Sequence, residues 1–207
     1  MLRVIVRFLI AVALAAGLGP LCWLVLEWAA RGLAWPLPDT IATLGGAALG
    51  LLLALWRRPN WFFHTWLHEH AHLIVYVLLH WRTPTGLRVT DGRGGALEHF
   101  ETDAVRATLV QIAPYTLPLL LLPVLALRHY GVVEPGPARQ VMSALVGFLF
   151  LHHLQGLFYN VRINCTGDQA DLVKVGRPLA FVLIVLALML VTAWTLRVVM
   201  IGSPSGW

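Results

Sequence analysis

The sequence predicts an all-α integral membrane protein of about six transmembrane helices, with a small β-hairpin between helices 3 and 4. Three observations carry that expectation. Of 207 residues, 58% are hydrophobic and only 12% charged, against roughly 25% charged in soluble domains. Mean hydropathy is +0.75. The apolar residues also gather in runs near the length of about 20 residues that a helix needs to cross a bilayer. These runs use most of the chain, so residues 1–207 are expected to form a single membrane domain, with a core over 61–176 flanked by helices in 1–60 and 177–207.

The first segment, about Val4 to Leu26, follows Arg3 and Arg7 and is longer than the apolar stretch of a signal peptide, so it reads as a retained helix. The second, about Ile41 to Trp56, is short and ends at Arg57, Arg58 and Pro59; Gly45, Gly46 and Gly50 predict close helix packing. The third, Trp61 to Trp81, carries His64, His68, Glu69, His70, His72 and His80. A lipid-facing helix would not tolerate that polar load. From Leu87 to Leu97 the chain alternates around Asp91-Gly92, which predicts the hairpin. The fourth segment, about Ala104 to Leu127, contains Pro114, Pro118 and Pro123, whose kinks require neighbouring groups to satisfy the freed backbone carbonyls. The fifth and sixth, about Val141 to Tyr159 and Leu179 to Met200, are ordinary apolar helices.

The net charge of +5 does not point to nucleic acid, because the basic residues lie singly or in pairs between apolar runs. Contact with lipid headgroups accounts for them better. Those residues divide almost equally between the two sides, so they do not set the orientation. Cys22 and Cys165 make neither a CxxC pair nor a disulfide framework. The expected setting is a multi-pass protein of a plasma membrane, such as a bacterial inner membrane, with the lipid bilayer itself as a partner.

The chemistry concentrates in His68-Glu69-His70-Ala71-His72, an HExxH pattern. On a helix, histidines at i and i+4 share a face and can bind one Zn²⁺, with the intervening glutamate placed as general base. With nine histidines in the chain, a chance match is expected about 0.01 times. His64, His68 and His72 form a longer stripe, but a third residue about 12 Å along the axis from the first cannot reach the same ion. His70 points to another face. A catalytic zinc needs a third protein ligand. Asp168 is the first candidate, in a Gly-containing break between helices, with Asp171 and then His152 or His153 behind it.

A transmembrane HExxH helix, a polar hairpin, a further helical pair and an Asp in a helix break together resemble the site-2 protease family of intramembrane zinc metalloproteases, over about Trp61 to Leu172. The resemblance implies Zn²⁺ held by His68, His72 and Asp168, Glu69 as the base, and a membrane-protein substrate. It also implies that the strand containing Gly94 and Gly95 clamps that substrate and that Asn160 or Asn164 helps hold its backbone. The family's second motif reads Leu-Asp-Gly where this chain has Gly167-Asp168-Gln169, and no PDZ-like domain is present. For Asp168 to meet the histidines, the stretch from Asn160 to Gly176 has to turn back into the bilayer.

Two other readings stand beside hydrolysis. One is a haem or metal carrier with His68 or His72 opposite His152 or His153, which gives Glu69 no task. The other is an inactive protease-like scaffold.

Overall fold

A computed structural model describes residues 2–30, 37–56, 60–84, 86–90, 94–98, 103–131, 134–164 and 170–201. In chain order the elements are α1 (Leu2–Ala30), α2 (Leu37–Trp56), α3 (Trp61–His80), β1 (Gly86–Thr90), β2 (Gly94–Glu98), α4 (Ala104–Thr116), α5 (Leu121–Ala126) with a π-helical turn (Leu127–Gly131), α6 (Pro137–Asn164), α7 (Asp171–Val175) and α8 (Arg177–Ile201). The chain is predominantly α-helical, as expected. The two strands pair antiparallel, with Val89 opposite Gly95 and Thr90 opposite Gly94. The Asp91-Gly92 turn expected between them lies outside the described residues.

Of the six expected spans, four to five are seen as candidates. Among the described residues four helices are long and apolar enough to cross a membrane, within α1, α2, α6 and α8, and a fifth span results only if α4 and α5 are counted together. Helix α3 has the length, but its histidines and Glu69 keep it out of that group. The fourth expected segment is also not one helix. Leu117 is extended (φ −105°, ψ 103°), because the ring of Pro118 crowds the preceding residue out of the α region. The chain re-enters helix when Leu121 and Leu122 donate to the Pro118 carbonyl.

The chain divides into two compact units, one comprising Met1–Ala13, Pro59–Leu117 and Gly156–Ile184, the other Leu14–Arg58, Pro118–Gln155 and Val185–Trp207.

In the first unit, Asn60 caps α3 by accepting from the Phe63 N–H. Asp103 caps α4 by accepting from Val105 and Arg106, and the backbone bond from Arg106 leads the causes holding its carboxyl below the usual range. Helix α4 packs on α3 and on α7, and both strands lie against α3. The five-residue α7 is pinned by Leu172 and Val175, both fully buried. It ends at Gly176, whose φ of 96° suits glycine. Its Lys174 carbonyl accepts from Arg7 Nη1 at 2.9 Å.

In the second unit, α2 and α6 approach at backbone distance. A Cβ on Gly46 would strike the Ala144 carbonyl, and one on Gly147 the Thr43 carbonyl. Gly50 meets Leu151 and Phe148, whereas Gly45 faces nothing within 4 Å. Of the three α2 glycines expected to pack, two do. Asp39, in the first turn of α2, is buried with Arg139 Nη2 at 2.6 Å and Arg128 Nη2 at 3.5 Å. Ser143 links the group, donating to Asp39 Oδ1 at 3.3 Å and accepting from Arg128 Nε at 3.1 Å. Leu121, Leu125, Val146, Val191, Val198 and Val199 form the apolar core of this unit.

Candidate metal centre

The site is built on one face of α3. His68 and His72, one helical turn apart, bring their Nε2 atoms to 3.2 Å from each other. Asp171, the first residue of α7, places Oδ2 at 3.3 Å from His68 Nε2 and 3.5 Å from His72 Nε2. Among the described residues these three form the one group of His, Cys, Asp and Glu side chains able to hold a metal ion.

The opposite ring nitrogens explain why the site faces inward. His72 donates its Nδ1–H to the Val110 carbonyl at 2.7 Å. Asn160 Nδ2 donates to the Pro114 carbonyl at 3.4 Å, which turns the amide oxygen toward His68, and His68 donates its Nδ1–H to that oxygen at 3.0 Å. Both acceptors can only accept, so each imidazole keeps its proton on Nδ1 and directs the Nε2 lone pair at the centre. Two lone pairs and a carboxylate oxygen facing one another within 3.5 Å require a cation among them, a proton or a metal ion. Burial alone would raise the Asp171 carboxyl, but its hydrogen bonds with His68 and His72 outweigh that and hold it below the usual carboxylate range. Tyr115, fully buried on α4, donates its hydroxyl to Asp171 Oδ2 at 3.3 Å and sets its ring edge-on to His68.

Glu69, one residue after His68, is buried and within electrostatic reach of His68, His72 and Asp171. Its place beside the group follows from the HExxH spacing. The remaining histidines of α3 are occupied elsewhere. His70 bonds through Nδ1 to the Trp66 carbonyl at 2.7 Å and lies over the Trp66 ring. His80 does the same with Tyr76. His64 packs edge-on against Trp61 and Tyr159. His152 and His153, weighed as third ligands, are not in the group.

The structure therefore brings Asp171 to the histidines, whereas Asp168, the first choice from sequence, lies outside the described residues. Asn160, expected to reach a substrate backbone, is buried and turned onto His68 and Pro114. Asn164 is the last residue of α6. Gly94 and Gly95 lie in β2, which among the described residues has β1 as its one partner strand. Sequence reasoning missed Tyr115 and the Val110 and Pro114 carbonyls. The signal for the carbonyls was present, because Pro114 and Pro118 each deprive the residue four positions earlier of its helical donor.

Comparison with family models, with curated proteins and with solved structures finds no match for this chain.

Proposed function

We propose that this protein is a zinc-dependent endopeptidase that hydrolyses peptide bonds of membrane-embedded substrates, with His68, His72 and Asp171 as the metal ligands and Glu69 as the base. The observation that carries the reading is the convergence of two Nε2 lone pairs and a carboxylate oxygen, 3.2–3.5 Å apart, next to Glu69. Three donors of a tetrahedral zinc site, with bonds of about 2.0–2.2 Å, stand about 3.3–3.6 Å from one another, so the donor set fits that ion. Nitrogen and carboxylate oxygen are also the ligands zinc takes in hydrolytic sites, where three protein ligands leave one position open.

When bound, zinc supplies Lewis acidity toward a peptide carbonyl and toward water. The chain's own groups do the rest. Glu69 takes a proton from the attacking water and delivers it to the departing amine, and its burial places that exchange away from bulk solvent. The histidines are held from behind by Asn160 and Val110, and Tyr115 donates to the Asp171 oxygen that faces them, so the reacting centre is fixed before substrate arrives. Strands β1 and β2, lying against α3, pair only with each other among the described residues, and an unwound stretch of substrate could add to their outer edges as a further strand. Gly94 and Gly95 belong to that edge region, where the absence of side chains permits close approach.

The test is cleavage of a membrane-embedded reporter substrate by the purified chain in lipid vesicles. Glu69→Gln is expected to abolish cleavage while zinc stays bound. Cleavage at the wild-type rate in that variant would sink the peptidase reading.

A further inference from the structure

Helix α4 contains Pro114 in its interior and is followed at once by Leu117 and Pro118. Neither proline has an N–H, so the carbonyls of Val110 and Pro114 lack the donor a regular helix would supply from four residues on. These same two carbonyls anchor the candidate metal centre. Val110 accepts from His72 Nδ1 at 2.7 Å, and Pro114 accepts from Asn160, which in turn holds His68. One vacated carbonyl serves each histidine.

We propose that Pro114 and Pro118 are positioning residues for the metal centre: by withholding two N–H groups they release two carbonyls that fix the tautomer and orientation of His72 directly and of His68 through Asn160. The inference rests on the metal reading given above and deepens it. A proline ring also pushes the carbonyl four residues back off the helix axis, which turns the Val110 oxygen sideways toward α3. Buried carbonyls freed in this way must find another donor, and the imidazole N–H and the asparagine amide are those donors. The two needs satisfy each other: the helix break is tolerated because the histidines bond to it, and the histidines present Nε2 because the break is there.

The two prolines are expected to differ in effect. Pro114→Ala returns a donor to Val110 and draws its carbonyl back toward the axis, where it serves His72 with poorer geometry. Loss of such an orienting partner costs metal affinity about 10–100-fold; because a carbonyl can accept twice, about 10-fold is expected. Pro118→Ala acts through Asn160 and is expected to cost less, about 3-fold. Pro123→Ala, four residues beyond Leu119 and so without a site carbonyl to restore, is the control.

The experiment measures zinc affinity of the full chain in detergent, with the His72 tautomer in the metal-free protein read from its ring nitrogen chemical shifts. A second replacement at Pro114 separates the missing N–H from the ring: lactic acid, the ester analogue of alanine, also has no N–H but lacks the pyrrolidine. The expected result is a 10-fold loss of affinity and a shift toward the Nε2–H tautomer in Pro114→Ala, with the ester and Pro123→Ala within 2-fold of wild type. Equal affinity in Pro114→Ala and wild type, or equal losses in Pro114→Ala and the ester, overturns the proposal while leaving the metal reading standing. A wild-type chain that takes up no zinc overturns both.

Discussion

Replacing Asp171 by Asn tests the third ligand, and the size of the effect can be worked out. The amide keeps the shape of the carboxylate and its distance from Tyr115, but it is neutral and a poor zinc ligand. With free zinc at about 100 times the wild-type dissociation constant, binding to the folded state alone stabilises it by about 2.7 kcal/mol. For a chain of this size each kcal/mol moves the unfolding midpoint by about 2–4 °C, so zinc should raise the wild-type Tm by about 5–11 °C. Losing a direct ligand costs at least the 100-fold seen at the upper end for orienting partners. Zinc then stands at or below its dissociation constant, and its stabilisation falls to about 0.4 kcal/mol, a shift of about 1–2 °C. The assay is thermal unfolding of the detergent-purified chain with and without zinc, run beside Asp168→Asn. A full zinc shift in Asp171→Asn together with a lost one in Asp168→Asn would refute the ligand set drawn from the 3.3 and 3.5 Å contacts.

Other consequences follow from the same structure. Glu69→Gln should lower the cleavage rate by about 10²–10⁴-fold, the usual contribution of a general base, with zinc content unchanged by elemental analysis. Asp39→Ala removes the carboxylate that Arg128 and Arg139 both face in a buried setting; leaving such charges behind costs about 3–5 kcal/mol, visible as a much lower unfolding midpoint or lost expression. Gly46→Ala puts a Cβ on the Ala144 carbonyl and should destabilise by about 1–3 kcal/mol, while Gly45→Ala, with open space around it, should stay within about 0.5 kcal/mol of wild type.

The HExxH helix was legible because i, i+4 spacing is a property of the sequence alone, and α3 spans the expected residues with both histidines on one face. The apolar helices were legible for the same reason, as composition and length. What sequence could not give was the outcome of long-range competition. Pro118 announces a break, yet only the fold shows that the carbonyls released there and at Pro114 meet Asn160 and His72. Asp168 and Asp171 sit three residues apart in the same polar stretch, and the Gly-containing break at Gly167 favoured the first. Asp171 reaches the histidines through packing: Leu172 and Val175 are both fully buried, which anchors the short helix that Asp171 begins, while Asp168 lies outside the described residues. The apolar pair three residues apart, followed by Gly176, was the available sign of such a helix. Tyr115 between two prolines gave no sign of its bond to a carboxylate 56 residues away.

The central claim is that His68, His72 and Asp171 hold one zinc ion. Its most direct measurement is elemental analysis of the full chain purified in mild detergent without chelator, for wild type, Asp168→Asn and Asp171→Asn. The predicted result is about one zinc per chain in wild type and Asp168→Asn and almost none in Asp171→Asn. A wild-type chain without zinc, or an Asp171→Asn chain that keeps it, would contradict the account.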